Sequence, residues 1–331
     1  MACYYYGIRA LLLGAAGAAA AFAADLLGRR FQRPAWREPW DLSGVNTGLM
    51  VALLLPASAP YWLVVVGAIF AMLVIRHPFG GYSATLFHPA NTAFAFLIIC
   101  WPSLVTGYPQ PMQQLPLGKV DVPLYASPAA RLMVGGAERL DWMEILMGSF
   151  VGPMGATCVL VLLLCGCFLA FRRAILWQVP LAVFGVVALF AWLMPRTGAS
   201  TFLSVSLELV SGTLIFSTIF VAALDSGEIH TGLGRWLYGI LLGLAIVLFR
   251  TMSQIELVTP FAIIIMGTLD HRCDAMGAAI RRVLIRLTGR TGQLTLQLLR
   301  QAGGKLAAAG RFCWGKLAQL LQMLVDGKEK P

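Results

Sequence analysis

Charged residues are scarce in this sequence. Asp, Glu, Lys and Arg make up 12% of its 331 residues, whereas soluble domains carry about 25%. Hydrophobic residues reach 59%, against roughly 45–50% in soluble domains, and a single soluble core has no use for so much apolar surface. The composition therefore excludes an ordinary soluble domain and predicts an all-α, polytopic membrane protein.

The cysteine patterns of metal and disulfide proteins are lacking too. The seven cysteines lie mostly in apolar runs, without metal-site spacing or the density of a disulfide framework. The chain has no cysteine cluster for iron–sulfur chemistry and no glycine fingerprint for dinucleotides. No metal site is expected. A cleavable signal peptide is not expected either, because the apolar run 11–27 is followed by basic residues.

Positive charge is concentrated at one end of the chain. The net charge is +10, and residues 271–331 hold eleven Lys or Arg against three Asp or Glu. Because residues 1–270 are nearly neutral, nucleic-acid binding is not expected. The 271–331 tail is predicted to form basic amphipathic helices, which would lie on the inner membrane surface. Docking onto a soluble partner subunit is the alternative.

Nine apolar segments within residues 1–270 predict a transmembrane domain. Several are shorter than the about 20 residues of a full span, or are interrupted by Gly and Pro. They predict broken helices, which often line a binding site. The segments are 9–27, 43–58, 60–76, 86–103, 142–171 (with a break), 174–194, 201–224, 235–250 and 254–269.

Basic residues in the short loops predict the orientation of these segments. Arg29, Arg76 and Arg172 place their loops inside, whereas Arg250 is an exception that falls outside. The 104–141 segment, called the long loop below, is then extracytoplasmic and the C-terminus is cytoplasmic. The expected location is the inner (cytoplasmic) membrane of the cell.

An internal repeat is also predicted. Ser43-Gly44 opens one short segment and Ser211-Gly212 lies in another, and the segments that follow them end at Arg76 and Arg250. The two units run in opposite directions, the pattern of inverted repeats. The second half then has five segments and the first has four, which predicts a missing helix before residue 9. In its absence, the Gly- and Ala-rich face of 9–27 would contact lipid or a neighbouring subunit.

Five stretches of the chain match, in order, the pattern of one known family. They are Tyr6-Gly7-Ile8-Arg9-Ala10-Leu11-Leu12; Asp41-Leu42-Ser43-Gly44 with Thr47-Gly48 and Leu55-Pro56; Phe79-Gly80-Gly81 with Phe87-His88-Pro89-Ala90; Gly152 with Gly155-Ala156-Thr157; and Leu209-Val210-Ser211-Gly212 with Asp225. In this order they resemble the RnfD/NqrB family, membrane subunits of redox-driven sodium or proton pumps. The resemblance implies a subunit of an Rnf-type complex that carries electrons by flavin between ferredoxin and NAD and couples them to Na⁺ or H⁺ transport. Its partners would be other membrane and soluble subunits and membrane lipid.

The family attaches FMN, through its phosphate, to a threonine hydroxyl in a D-G-x-S-G-A-T-P-L motif. When Asp121 and Pro128 are aligned with the Asp and Pro of that motif, Ser127 occupies the acceptor position. The resemblance therefore implies covalent FMN at Ser127, whose hydroxyl should be exposed. Ser127 could instead be an ordinary Ser-Pro turn residue. Thr157 is a second acceptor candidate, although a Thr that opens a helix more often caps it or bonds back to it.

Two Gly-rich breaks are further cofactor-binding candidates. Gly155 and Thr157 belong to one break, and Ser211 and Gly212 to the other. Backbone N–H groups at such breaks can bind a flavin's ring edge or phosphate. A second, non-covalent flavin is the corresponding cofactor prediction.

Acidic residues at membrane depth are rare and costly, which points to an ion path. Glu256 corresponds to a family Glu in a Y-P-E-G turn, and Arg250 is its expected partner. Asp225 is the other candidate, with a hydrated loop as its alternative. His77 and His88 are expected to be a polar lining rather than a metal pair. The competing function is a flavin-free carrier or channel for a small solute that uses the same broken helices.

Overall fold

The computed structural model divides the chain into two compact units, Met1–Gly277 and Ala278–Pro331. The residues it describes are 1–31, 42–79, 87–113, 115–118, 120, 122–127, 147–148, 150–195, 201–210, 212–225, 229, 231–253, 257–280 and 282. In the second unit only 278–280 and 282 are described, and they are helical. The fold below is that of the first unit.

The described residues of the first unit form helices and the segments that connect them. The β-structure among these residues is one isolated bridge between Tyr108 and Tyr125. The all-α prediction is thus confirmed for these residues. In chain order the helices are α1 (Ala2–Tyr6), α2 (Ile8–Phe31), α3 (Ser43–Leu54), α4 (Tyr61–Phe70), α5 (Pro89–Cys100), α6 (Pro102–Val105), α7 (Val159–Phe171), α8 (Gln178–Leu193), α9 (Thr201–Val210), α10 (Leu214–Ser217), α11 (Ala223–Asp225), α12 (Gly232–Ser253) and α13 (Thr259–Gly267). Two π-helical segments continue α4 and α10, over Ala71–Arg76 and Thr218–Ala222.

Two of the described helices are long and apolar enough to cross a membrane, at Ile8–Arg30 and Gly232–Met252. A third candidate is the pair Ser204–Val210 and Leu214–Ala222, bent by 56° at its break. Five shorter apolar helices accompany them. Two to three candidate spans agree with a membrane protein that contains broken helices, and the count of nine stays a prediction.

The short helix α3 shows how the sequence ends a helix early. Leu55, which follows it, is extended (φ −85°, ψ 159°) because Pro56 disfavours helical backbone in the residue before it. Twelve residues of helix are about 18 Å long, well short of a hydrocarbon layer of about 30 Å. The backbone groups at the end of α3 therefore need partners within the protein.

The order of helix packing recurs in the two halves. In the first half α2 packs against α3 and α4, and α4 packs against α5. In the second half α8 packs against α9 and α12, and α12 packs against α13. This recurrence agrees with the predicted internal repeat, while its inverted orientation stays a prediction.

Part of the Gly- and Ala-rich face of α2 is used inside the protein, at Gly14 and Gly17, whereas Ala15 of the same face is exposed. Contact of the exposed part with lipid or a neighbour stays a prediction. A Cβ added at Gly48 of α3 would lie 2.2 Å from the carbonyl oxygen of Gly17. Gly14 likewise packs near Leu49 of α3. Small residues let the backbones of α2 and α3 approach closely. Gly14 and Gly17 of α2 therefore have α3 as their packing partner.

Candidate functional site

The broken end of α3 is completed by the second half of the chain. The amide of Gly155 donates to the carbonyl of Leu53 at 2.7 Å, and the amide of Met154 donates to the carbonyl of Leu55 at 3.1 Å. These carbonyls are the ones that the early end of α3 leaves open. The break before α7 therefore serves as the partner that a half-spanning helix requires.

A cavity of about 310 Å³ lies beside this junction. Its walls come from α3, from the break before α7 and from α10 with its π-helical continuation, and they are mainly apolar and sulfur-containing. The lining includes Met50, Leu53, Met154, Gly155, Thr157, Cys158, Phe216 and Phe220. Apolar walls with a few polar groups are typical of sites for small flat ligands. We call this space the α3–α7 cavity.

Two of the predicted cofactor residues, Gly155 and Thr157, line this cavity, and their polar groups already have partners. The Gly155 amide, predicted to bind a flavin, is already bonded to Leu53, and a Cβ at Gly155 would meet Leu53 at 2.9 Å. Thr157 is buried and its hydroxyl donates to the Met154 carbonyl at 3.3 Å. Gly155 therefore joins the two halves of the chain, Thr157 bonds within its own break, and both border the cavity.

The second predicted break lies between α9 and α10. Gly212 has a φ of 65°, a left-handed conformation that favours glycine, and it is buried. This backbone lets the chain turn by the 56° that separates the two helices. Ser211 lies outside the described residues.

The starts of α5 and α13 meet deep in the protein. Asn91 of α5 donates through Nδ2 to the carbonyl of Pro260 in α13 at 2.9 Å. The Asn91 Oδ1 and the hydroxyls of Thr259, Thr213 and Ser217 are buried with no hydrogen-bond partner among the described residues. They belong to α5, to α13 and to the segment of α10, and α13 packs against both others. Such orphaned groups cost about 1–3 kcal/mol each and commonly bind water or a ligand.

His77 and His88 have different surroundings. His77 Nε2 lies 3.2 Å from the Asp25 carboxylate, whereas His88 is buried at the start of α5. No group of three or more His, Cys, Asp or Glu able to hold a metal ion occurs in the described part of the chain. The polar-lining interpretation stays a prediction.

A buried charged cluster surrounds Asp25 of α2. Its carboxylate accepts from Arg29 Nε at 2.8 Å, and Arg76 Nη1 lies 4.0 Å away. Asp25 and Arg76 are almost inaccessible, with 4% and 0% of their surface exposed. Because a charged side chain in the membrane is costly, this cluster is a candidate for function as well as for stability. The sequence analysis did not single out Asp25.

A second buried pair joins Arg250 of α12 to Glu208 of α9. Arg250 Nη1 lies 2.9 Å from Glu208 Oε2 and also donates to the Glu208 carbonyl at 2.7 Å. The predicted partner was Glu256, which lies outside the described residues, so the acid that the structure places here is one that the sequence analysis missed. Asp225 ends α11, and its side chain is not among those described.

The described part of the long loop folds back on itself, and the proposed acceptor is buried. Tyr108 and Tyr125 exchange two backbone hydrogen bonds, at 3.1 and 2.8 Å, which bring the two ends of the segment between them together. Only 2% of Ser127 is exposed, which corrects the expectation of an exposed hydroxyl. Asp121 lies outside the described residues. Hydrogen bonds to the N-terminal helices hold the described part of the loop against the helical domain.

The model of the NQR2, RnfD, RnfE family matches residues 1–276. The chain belongs to this family. The family predicted from the five stretches is thereby confirmed. Together with the apolar helices, membership of this family makes the chain a membrane protein.

Relatives in this family have named roles. One from Actinobacillus pleuropneumoniae, named as part of an ion-translocating oxidoreductase complex, is 30% identical, over 70% of this chain and 76% of the relative. One from Acetobacterium woodii, named as part of a Na⁺-translocating ferredoxin:NAD⁺ oxidoreductase complex, is 28% identical, over 80% of each chain. One from Pseudoalteromonas atlantica, named as part of a Na⁺-translocating NADH-quinone reductase, is 28% identical, over 62% of this chain and 52% of the relative.

Proposed function

We propose that this chain is a membrane subunit of an Rnf-type ion-translocating oxidoreductase complex. The observation that carries the proposal is the family match over residues 1–276, together with relatives that are named as subunits of such complexes. The sequence supplies neither a cysteine cluster nor a dinucleotide fingerprint. Other subunits would therefore supply iron–sulfur and nicotinamide chemistry, and this chain would carry electrons between them within the membrane.

The cofactors we propose are a covalent FMN at Ser127 and a second, non-covalent flavin. A bound flavin accepts electrons singly or in pairs, and so links one-electron donors with two-electron acceptors. Support for the second flavin comes from the α3–α7 cavity, which has a volume of about 310 Å³ and carries two aromatic rings, Phe216 and Phe220, on one wall. At Ser127 the fit requires the long loop to open, because the hydroxyl is buried in the closed loop.

Ion coupling is the remaining part of the proposal. We assign the ion path to Asp225 and Glu256, as the resemblance implies, and add Glu208, which pairs with Arg250 at membrane depth. In vesicles containing the whole complex, Glu256→Gln is expected to lower ion uptake more than electron transfer. Equal loss of both activities would remove Glu256 from the path.

Flavin attachment is tested on the chain co-expressed with a flavin transferase. We expect yellow fluorescence that survives denaturing electrophoresis and disappears in Ser127→Ala. The matched control is Thr157→Ala, which should keep the fluorescence because the buried Thr157 hydroxyl is bonded to Met154. A denatured chain without a flavin mass increment would contradict the attachment and favour the flavin-free carrier.

A further inference from the structure

Arg9, at the start of α2, connects two segments that are far apart in the sequence. Its Nε donates to the Ala57 carbonyl at 2.7 Å and its Nη2 to the Ala59 carbonyl at 3.1 Å. Its Nη1 donates to the carbonyls of Pro116 and Gly118 at 2.7 and 2.8 Å. One guanidinium therefore joins the turn after α3 to the long loop.

The chemistry of this contact suits arginine. Arg9 is 2% exposed, and its guanidinium also lies 5.2 Å from the centre of the Tyr61 ring. No acidic side chain pairs with Arg9 within the described ranges. A planar guanidinium presents donors in several fixed directions, whereas lysine presents three from one atom. Four carbonyls from two segments are thus held in one fixed arrangement.

Neighbouring contacts attach the same loop to the first helices. The Ser58 hydroxyl donates to the Gly107 carbonyl at 2.6 Å. The Met112 amide donates to the Tyr5 carbonyl at 2.9 Å. Together with the Arg9 contacts, these bonds attach the loop at three places between residues 107 and 118. The backbone bridge between Tyr108 and Tyr125 joins the ends of the segment that contains two of these places.

We propose that Arg9 is the positioning residue of the long loop. It holds the loop closed against the helical domain and thereby sets where Ser127 lies. A role of Arg9 in electron transfer rests on the proposed flavin at Ser127. The hydrogen bonds of Arg9 themselves involve no flavin. Opening the loop to reach Ser127 would break the Arg9 contacts to Pro116 and Gly118.

Hydrogen–deuterium exchange on the full chain in lipid nanodiscs tests the proposal. In Arg9→Gln, peptides that contain the amides of Tyr108 and Tyr125 should exchange about tenfold faster or more, roughly the factor that one charge-assisted hydrogen bond contributes. Arg9→Lys should restore part of the protection. The control is Arg235→Gln, since Arg235 donates to the Ile229 carbonyl at 2.8 Å in another loop, and it should leave both peptides unchanged.

The exchange of α12 separates positioning from general folding. Faster exchange in the long loop with unchanged exchange in Gly232–Ser253 supports the proposal. It is overturned if neither Arg9 variant alters the loop peptides, or if loop and α12 accelerate equally, because Arg9 would then stabilise the whole fold. Exchange needs no cofactor, so a chain without flavin at Ser127 would leave this outcome intact.

Discussion

Each half of the chain buries an arginine at the end of a helix, Arg76 after α4 and Arg250 near the end of α12, but the acids that face them differ. In the first half Arg76 shares the carboxylate of Asp25 with Arg29 and His77. The acid comes from α2. Two guanidiniums and an imidazole lie around one carboxylate, so Arg76 shares this carboxylate with other donors.

In the second half the arrangement is a closer pair. Arg250 contacts both the carboxylate and the carbonyl of Glu208, at 2.9 and 2.7 Å. This acid comes from α9, and the pair borders a cavity of about 280 Å³. The two halves thus have an arginine at corresponding helix ends. The acid that pairs with it differs, because different helices pack beside the arginine in each half.

The largest expected difference between the two halves is the side of the membrane on which each one ends. Leu117 lies after α6 and Arg272 lies after α13, and both are exposed. If the repeats are inverted, a membrane-impermeant maleimide should label Leu117→Cys only from outside and Arg272→Cys only from inside. The chain with its native cysteines alone gives the background. Labelling of both from one side would make the repeats parallel.

The next largest effect is expected at the closer ion pair. Arg250→Met would leave Glu208 buried opposite an apolar side chain, and breaking such a pair costs about 3–5 kcal/mol. Thermal melting in detergent should show a lower midpoint. Adding Glu208→Gln should recover part of the loss, because the buried charge is then removed. Additive losses in the double variant would show that the two side chains are not coupled.

A smaller effect is expected from added bulk at the contact between α2 and α3. Gly48→Ala would place a Cβ 2.2 Å from the backbone oxygen of Gly17, and overpacking of this kind costs roughly 1–3 kcal/mol. Gly185 of α8 is the matched control because a Cβ there meets nothing within 4 Å. Gly185→Ala should leave the melting midpoint unchanged or slightly higher. Equal effects would contradict the close approach of α2 and α3.

The smallest effect is expected in the shared cluster. Arg29→Gln removes one of the cations around Asp25, but Arg76 and His77 remain near the carboxylate. We expect a loss of about 1 kcal/mol or less, measured by the same melting assay. A loss as large as that of Arg250→Met would show that Arg29 alone neutralises Asp25. The stability of each half would then depend on one ion pair to the same degree.

Much of the fold follows from local patterns in the sequence. Pro56 ends α3 and prolines open α5 and α13, because proline restricts the backbone before it and suits the first turn of a helix. The helical character and the breaks were therefore predictable. The partners of the breaks were not, since the bonds from Gly155 to Leu53 and from Asn91 to Pro260 join residues more than one hundred positions apart.

By itself the sequence determined the family, the apolar helices and the positions of their breaks, because these depend on residue type and spacing along the chain. Only the tertiary structure decided that Ser127 is buried, that Glu208 meets Arg250, and that Arg9 holds the long loop. The physical reason is the same in each case. Buried polar groups must find partners wherever packing supplies them, and packing brings together residues that no local pattern connects.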